Sequence, residues 1–444
     1  MSSGILPSFL GALQASVAVL LTISYGGIAS RYNLLKESSS RDISKTCVRL
    51  FLPALLITNV GSELHADTVL RYVPVLVWAL VYTLSSMAVG WVLRRSFPRQ
   101  FPAWTIPAIC FNNTTALPLL LIQSLQTSGI LNDLTMGSDD TSSAALSRAK
   151  SYFLVSSMVG NSLTFAVGPK LLDDEESPDE HQDQKKKESL HGRAEGGEEH
   201  AHPVNGSGRT AEQQEEHVNE STTLLPNRLV EGSGALRDEA REESNNQWDK
   251  LPVALRKVLL FSWSFLNAPL IGAIIGAAIG LIPQLHRTFF NDPSDGGFFK
   301  AWLTASVKNV GELFPALQLV VVGAKLGGSL LKMKKGEASG TVKLIPMFSV
   351  FFIRFILWPI VSIAVIFILA SKTNLLDDDP TLWFVLMLLP TGPPATKLTA
   401  LADVSGADEN EKMAIAKFVT ISYAISPVIC FAVVGSLKAS LAVK

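Results

Sequence analysis

Two short segments hold the residue types that could do chemistry, and both interrupt apolar runs. The first reads PAICFNNTTALPLLL, residues 107–121, and sets Asn112, Asn113, Thr114 and Thr115 side by side ahead of Pro118. The second reads LLPTGPPATKLTAL, residues 388–401, and contains Pro390, Thr391, Gly392, Pro393, Pro394, Thr396 and Lys397. A proline inside a helix removes an amide donor and clashes with the preceding turn, at ~3 kcal/mol. Three prolines between 390 and 394, with a glycine among them, cannot continue a regular helix. Pro118 is expected to open the first segment in the same way. A helix that restarts after a break points its positive dipole end and free amides at whatever lies there. Asn and Thr add neutral donors. The chemistry this predicts is recognition of an anion such as a carboxylate, without burial of a full positive charge.

Other chemistries find no support. There is no phosphate-binding glycine loop, no nucleophile–base pair and no metal-ligand cluster. Cys47, Cys110 and Cys430 lie in apolar stretches without a CxxC, and five of the seven histidines fall between 181 and 217. The expectation is therefore no enzyme, no cofactor, no metal and no nucleic-acid partner.

The elements that position the two segments follow from composition. Of 444 residues, 48% are hydrophobic and 17% charged, and mean hydropathy is +0.29. The formal charge of −1 averages two unlike parts. Residues 173–249 carry 21 acidic and 8 basic groups, whereas the rest carries 18 and 30. Crossing a bilayer takes about 20 apolar residues. Ten candidate spans lie near 8–29, 44–62, 71–94, 103–126, 151–172, 259–283, 301–327, 343–370, 380–402 and 413–437. This predicts an all-α membrane protein of two five-helix parts, 1–172 and 250–444, joined by an acidic connector over 173–249 that is read as disordered. With the N-terminus outside the cytosol, 15 Lys and Arg fall in cytosolic loops and 6, including Arg148 and Lys150, in the opposite ones. Both termini are then lumenal or extracellular and the connector is cytosolic.

The two parts also resemble each other. FLPALLITNVGSEL (51–64) and LFPALQLVVVGAKL (313–326) align without gaps and match at Pro53/Pro315, Ala54/Ala316, Leu55/Leu317, Val60/Val322, Gly61/Gly323 and Leu64/Leu326. Each occupies the second span of its half. Five spans per half force the second half to enter inverted, the mark of many secondary transporters. The two breaks fall in the fourth span of each half. A break in lipid is tolerated only where it faces protein or water, so both belong at the centre.

The ten-span layout, FLPALLITNVG in the second span, FNNTTALPL in the fourth, LPTGPPAT in the ninth and the long connector together resemble the auxin efflux carrier family of PIN and PIN-LIKES membrane transport proteins, and fungal PIN-LIKES relatives most. The resemblance covers both membrane halves. It implies a scaffold part, a transport part, and two helices that cross at their breaks. It implies an auxin-like indole carboxylate as substrate, exported or compartmentalised by alternating access. Asn112 or Asn113 with Pro118 correspond to the family's crossover Asn and Pro, and the second-half stretch is Thr391–Pro394. That stretch has no Asn, so Thr391 or Thr396 would supply the donor. The resemblance points to the endoplasmic reticulum membrane, with plasma or vacuolar/endosomal membranes as alternatives.

Three charged residues within spans are further candidates, because intramembrane charge is costly. Glu312 could exchange a proton or lie solvated at a span end. Arg354 could pair structurally or guide an anion. Lys397 could attract an anion or snorkel to the surface. Gly272, Gly276 and Gly280 read as close helix packing, at a scaffold or homodimer face. Glu220, Leu224 and Leu225 have the spacing of an acidic dileucine signal for a sorting adaptor. A signalling or scaffold protein that recruits partners through the connector is the alternative function.

Overall fold

A computed structural model describes residues 5–65, 68–137, 140–173, 268–335, 342–404 and 409–444. Most of the acidic connector lies outside them, with Glu220, Leu224 and Leu225. The described residues contain helices α1 (Ile5–Arg31), α2 (Glu37–Thr46), α3 (Leu52–Glu63), α4 (Tyr72–Ser96), α5 (Thr105–Cys110), α6 (Ala116–Thr127) and α7 (Ser142–Asp173). They continue with α8 (Ala268–Leu281), α9 (Pro283–Phe290), α10 (Ala305–Lys334), α11 (Leu344–Phe352), α12 (Trp358–Lys372), α13 (Pro380–Leu388), α14 (Lys397–Val404), α15 (Glu409–Ala424) and α16 (Ile429–Val443). No strand occurs among them; a single isolated bridge pairs Asn112 with Pro394. The chain is an all-α membrane protein.

Among the described residues six continuous helical stretches are long and apolar enough to cross a bilayer: Leu6–Arg31, Glu37–Glu63, Val69–Ser96, Lys300–Lys332, Leu344–Lys372 and Ser426–Val443. The pair α8 and α9 passes together but bends by 101°. Apolar side chains such as Leu21, Trp91, Phe348 and Ile360 stay exposed on these helices, where lipid would cover them. Prolines shape two of the spans. Pro53 and Pro359 each follow a widened π turn, Cys47–Phe51 and Ile353–Leu357. A proline clashes with the carbonyl four residues back, and a wider turn relieves that clash. The second of these turns carries Arg354 into the interior.

The helices pack in two groups. In one, α1 and α3 pack on α10 and α8 packs on α3. Their backbones approach so closely that a Cβ on Gly323 would lie 1.8 Å from the Ile23 carbonyl oxygen. Gly272, Gly276 and Gly280 meet Pro53, Leu56 and Leu64 of the α3 segment. The glycine stripe expected at a scaffold or dimer face is thus spent within the chain. In the other group α4 packs on α5 and α7, and α13 packs on α7, α12 and α16. Helix α6 touches both groups through α1, α7 and α10.

Candidate functional site

The fourth and ninth predicted spans are each two half-helices, α5 and α6, and α13 and α14, joined by non-helical connections. Where these connections cross they pair like two short strands. The Asn113 amide donates to the Pro393 carbonyl at 3.1 Å, and the Ala395 amide donates to the Phe111 carbonyl at 2.9 Å. Gly392 makes the turn with φ of +105°, a left-handed conformation that favours glycine.

Breaking α13 frees carbonyls, and each has a donor. The Thr391 amide and hydroxyl donate to the Leu388 carbonyl, at 3.0 and 2.7 Å. The Asn112 side chain donates to the carbonyls of Leu389 at 2.8 Å and Thr391 at 3.0 Å. Arg354 Nη1 donates to the Pro390 carbonyl at 3.3 Å. Asn112 and Thr391 therefore use their donors to close the break. Asn113 instead donates from Nδ2 to the Tyr423 hydroxyl at 2.8 Å, and that hydroxyl also contacts Thr396.

On one side of the crossover lies a cavity of ≈ 30 Å³. Polar groups of Asn112, Asn113, Thr114, Thr115, Thr396 and Lys397 line it from the two breaks. Asn161 and Thr164 of α7 and Gln318 of α10 add to them, and Val48, Leu52, Phe314 and Val322 make an apolar wall from the other helix group. Among the described residues the lining contains no Asp or Glu. Helices α6 and α14 both begin here, so two positive dipole ends converge on the cavity. The start of α6 has no side-chain cap. Lys397 Nζ is hydrogen-bonded to Asn161 Oδ1 within the fold, not extended to the surface.

Several predicted site residues lie elsewhere. Pro393 and Pro394 shape the crossover but do not line the cavity, and neither do Thr391 and Gly392. Pro118 is corrected in role: the break spans 111–115, and Pro118 sits in the first turn of α6, where amides have no intrahelical partner. Pro118→Ala is expected to keep the transport rate within about twofold, because first-turn amides are unbonded anyway; initial uptake rates check this. Glu312 is half-exposed, 3.9 Å from Lys308, and does not join the site. Arg354 is fully buried behind the crossover, away from the cavity lining.

Sequence reasoning missed Tyr423, whose lone aromatic hydroxyl carries no pattern. It also missed a buried ionic anchor at the start of α13. Asp379 caps that helix, accepting from the Thr381 amide at 3.0 Å, and accepts from the Tyr152 hydroxyl at 2.9 Å. Arg148 lies 3.4 Å from Asp379 through Nε and forks onto Asp140 at 3.0 and 2.6 Å. Arg148 was expected in a loop, but α7 begins earlier, at Ser142, and buries it. The Asp379–Pro380–Thr381 run is a helix-start signal that could have pointed to the cap.

The arrangement places neutral donors, a lysine and two helix N-termini around a space bounded by an apolar wall. It suits an anion with an apolar body. Comparison with known proteins agrees at the level of family. Residues 12–432 match the family described as Membrane transport protein. An uncharacterized transporter of Schizosaccharomyces pombe is 24% identical over 427 residues, covering 93% of this chain and 91% of that protein. Protein PIN-LIKES 2 of Arabidopsis thaliana is 25% identical over 411 residues, covering 86% and 84%. Protein PIN-LIKES 4 of the same plant is 31% identical over 184 residues, 39% of this chain and 42% of that protein. With the family match running through both helix groups and both crossing breaks, this chain belongs to the membrane transport protein family.

Proposed function

We propose that the protein is a secondary transporter of a small organic anion, of the indole-carboxylate type, and that the crossover cavity is its substrate site. The observation that carries this reading is the lining itself. Lys397, Asn113, Thr114, Thr115 and Thr396 surround the cavity, and among the described residues no carboxylate joins them in its lining. The anionic group would lie at the starts of α6 and α14, and the ring against Phe314, Leu52 and Val322.

Alternating access is part of the proposal. A space of ≈ 30 Å³ holds a water or two, whereas pockets for drug-sized ligands run to roughly 300–1,000 Å³. Admitting an indole acid requires the crossover and its partners to move against α3 and α10. An inverted relation of the two halves is supported by the aligned FLPAL and LFPAL segments, whose equivalent residues Leu52 and Phe314 both line the cavity. Residence in the endoplasmic reticulum belongs to the proposal through the PIN-LIKES relatives, and co-localisation of a fluorescent fusion with a reticulum marker tests it.

The direct test is uptake of labelled indole-3-acetate by proteoliposomes containing only this protein. Saturable uptake, competed by unlabelled acid, is expected. Lys397→Met should raise the apparent KM about tenfold or more, since it removes a charge-assisted contact of ~1.5–3 kcal/mol. Absence of uptake across a panel of aromatic and aliphatic carboxylates would sink the assignment.

A further inference from the structure

Arg354 is fully buried, and its Nε and Nη2 have no hydrogen-bond partner. Its electrostatic neighbours are Tyr82, Cys110 and Tyr423, none of them a carboxylate. A guanidinium cannot shed its charge at neutral pH, so something else must balance it. Its one hydrogen bond, to the Pro390 carbonyl, shows what does. Pro390 lies two residues past the end of α13, and Cys110 is the last residue of α5. The C-terminal end of α13 is therefore bonded to Arg354, and the last residue of α5 is an electrostatic neighbour of it. A helix C-terminal end carries up to roughly −0.5 charge, and less in a helix as short as the six-residue α5.

The crossover thus sorts the four half-helix ends. The two N-terminal ends, of α6 and α14, open on the cavity. Of the C-terminal ends, that of α13 turns to Arg354 through Pro390, and that of α5 stops at Cys110, an electrostatic neighbour of Arg354. All four ends lie within a few residues of one crossing point. Without a cation behind the crossover, the negative ends would offset the positive ones and the cavity would hold little net field. Tyr423 touches both sides, accepting from cavity-lining Asn113 and neighbouring Arg354. We propose that Arg354 is a charge-selectivity residue: from behind the crossover it neutralises the C-terminal ends of α5 and α13, and so leaves the cavity electropositive for an anion it never touches. This rests on the reading of the cavity as an anion site.

The test compares an anion with its neutral isostere. Indole-3-acetate and indole-3-acetamide are titrated against the purified full-length protein, and against Arg354→Met and Arg354→Lys. The parental protein should prefer the acid. Arg354→Met should bind the acid about tenfold more weakly, equivalent to ~1.4 kcal/mol, with the amide unchanged. Arg354→Lys, which restores the charge without the fork, should return acid binding to within about threefold of parental. Should Arg354→Met not fold, Arg354→Gln keeps a donor for Pro390 without the charge and carries the same comparison. A neutral variant that binds the acid as the parent does, or that loses acid and amide together, overturns the role of Arg354 alone. A parental protein that binds both compounds equally overturns the anion-site reading, and this inference with it.

Discussion

Asn112→Ala should unfold the crossover, whereas its neighbour Asn113→Ala should leave the protein standing and weaken only binding. The two residues are consecutive and identical, yet they do different work. Asn112 is buried and its Nδ2 donates to two carbonyls, those of Leu389 and Thr391. Leaving a buried carbonyl unpaired costs ~1–3 kcal/mol, so losing both bonds should cost about 2–6 kcal/mol. Asn112→Asp is the sharper variant: it keeps the shape, but an ionised carboxylate cannot donate, and it should destabilise at least as much. Asn113 donates to the Tyr423 hydroxyl and accepts from the Thr115 amide at 3.4 Å, and both bonds are part-buried. Its loss should cost ~0.5–1.5 kcal/mol of stability and weaken apparent affinity by about 5- to 20-fold. Thermal melting in detergent and substrate titration of the three variants separate these outcomes. Equal melting of Asn112→Ala and the parent would remove the crossover role assigned to that side chain.

The second large effect is expected at Asp379. Its carboxylate is fully buried; it caps α13, accepts from Tyr152 and faces Arg148. Asp379→Ala removes a cap, at ~0.5–2 kcal/mol, and leaves the Tyr152 hydroxyl and part of Arg148 without a partner. Breaking a buried ion pair from one side costs ~3–5 kcal/mol. Because Asp140 still holds Arg148, the lower part of that range is expected, about 3 kcal/mol. The consequence for transport follows from position: α13 delivers Leu388 to Thr391 into the crossover, so a loosened start displaces the break at its other end. Pairing the change with Arg148→Met should recover part of the loss, by removing the charge left behind. A double variant no more stable than Asp379→Ala would rule out that coupling.

The same cluster sets an acid limit. The Arg148 guanidinium, through its forked hydrogen bonds, holds the Asp140 carboxyl below its usual value. A depressed carboxyl contributes stability that is complete above its unfolded value, near 3.9, and is lost as pH falls through the folded one. Asp140→Asn should therefore flatten the loss of stability below about pH 4 and cost little of its slope at neutral pH.

Local sequence decided which segments enter the membrane and where they fail. Apolar runs near 20 residues must be helical in lipid, because no water satisfies a bare backbone there. Pro390, Gly392, Pro393 and Pro394 forbid a regular helix whatever surrounds them, and the break found between α13 and α14 lies at those residues. The break between α5 and α6 was legible from Asn112 to Thr115, but its cause was misread. Pro118 only occupies a first turn, whereas pairing with the second connection holds the chain extended at 111–113.

What the tertiary structure alone decided is the direction in which each polar group points. Nothing in FNNTT separates the Asn whose amide closes a break from the Asn whose amide reaches Tyr423. That choice depends on carbonyls 277 and 279 residues away in sequence. Arg354 and Lys397 are both single cations in apolar runs, and composition treats them alike. Folding places one behind the crossover against half-helix C-terminal ends and the other at a half-helix start beside Asn161. Arg148 looked like a topogenic loop charge until Asp140 and Asp379, separated from it by 8 residues and by most of the second half, closed around it. A residue's type fixes the interactions it can make. Which of them it makes depends on partners brought close only when distant helices pack, because hydrogen bonds and buried ion pairs act over a few ångströms while the chain between them runs for hundreds of residues.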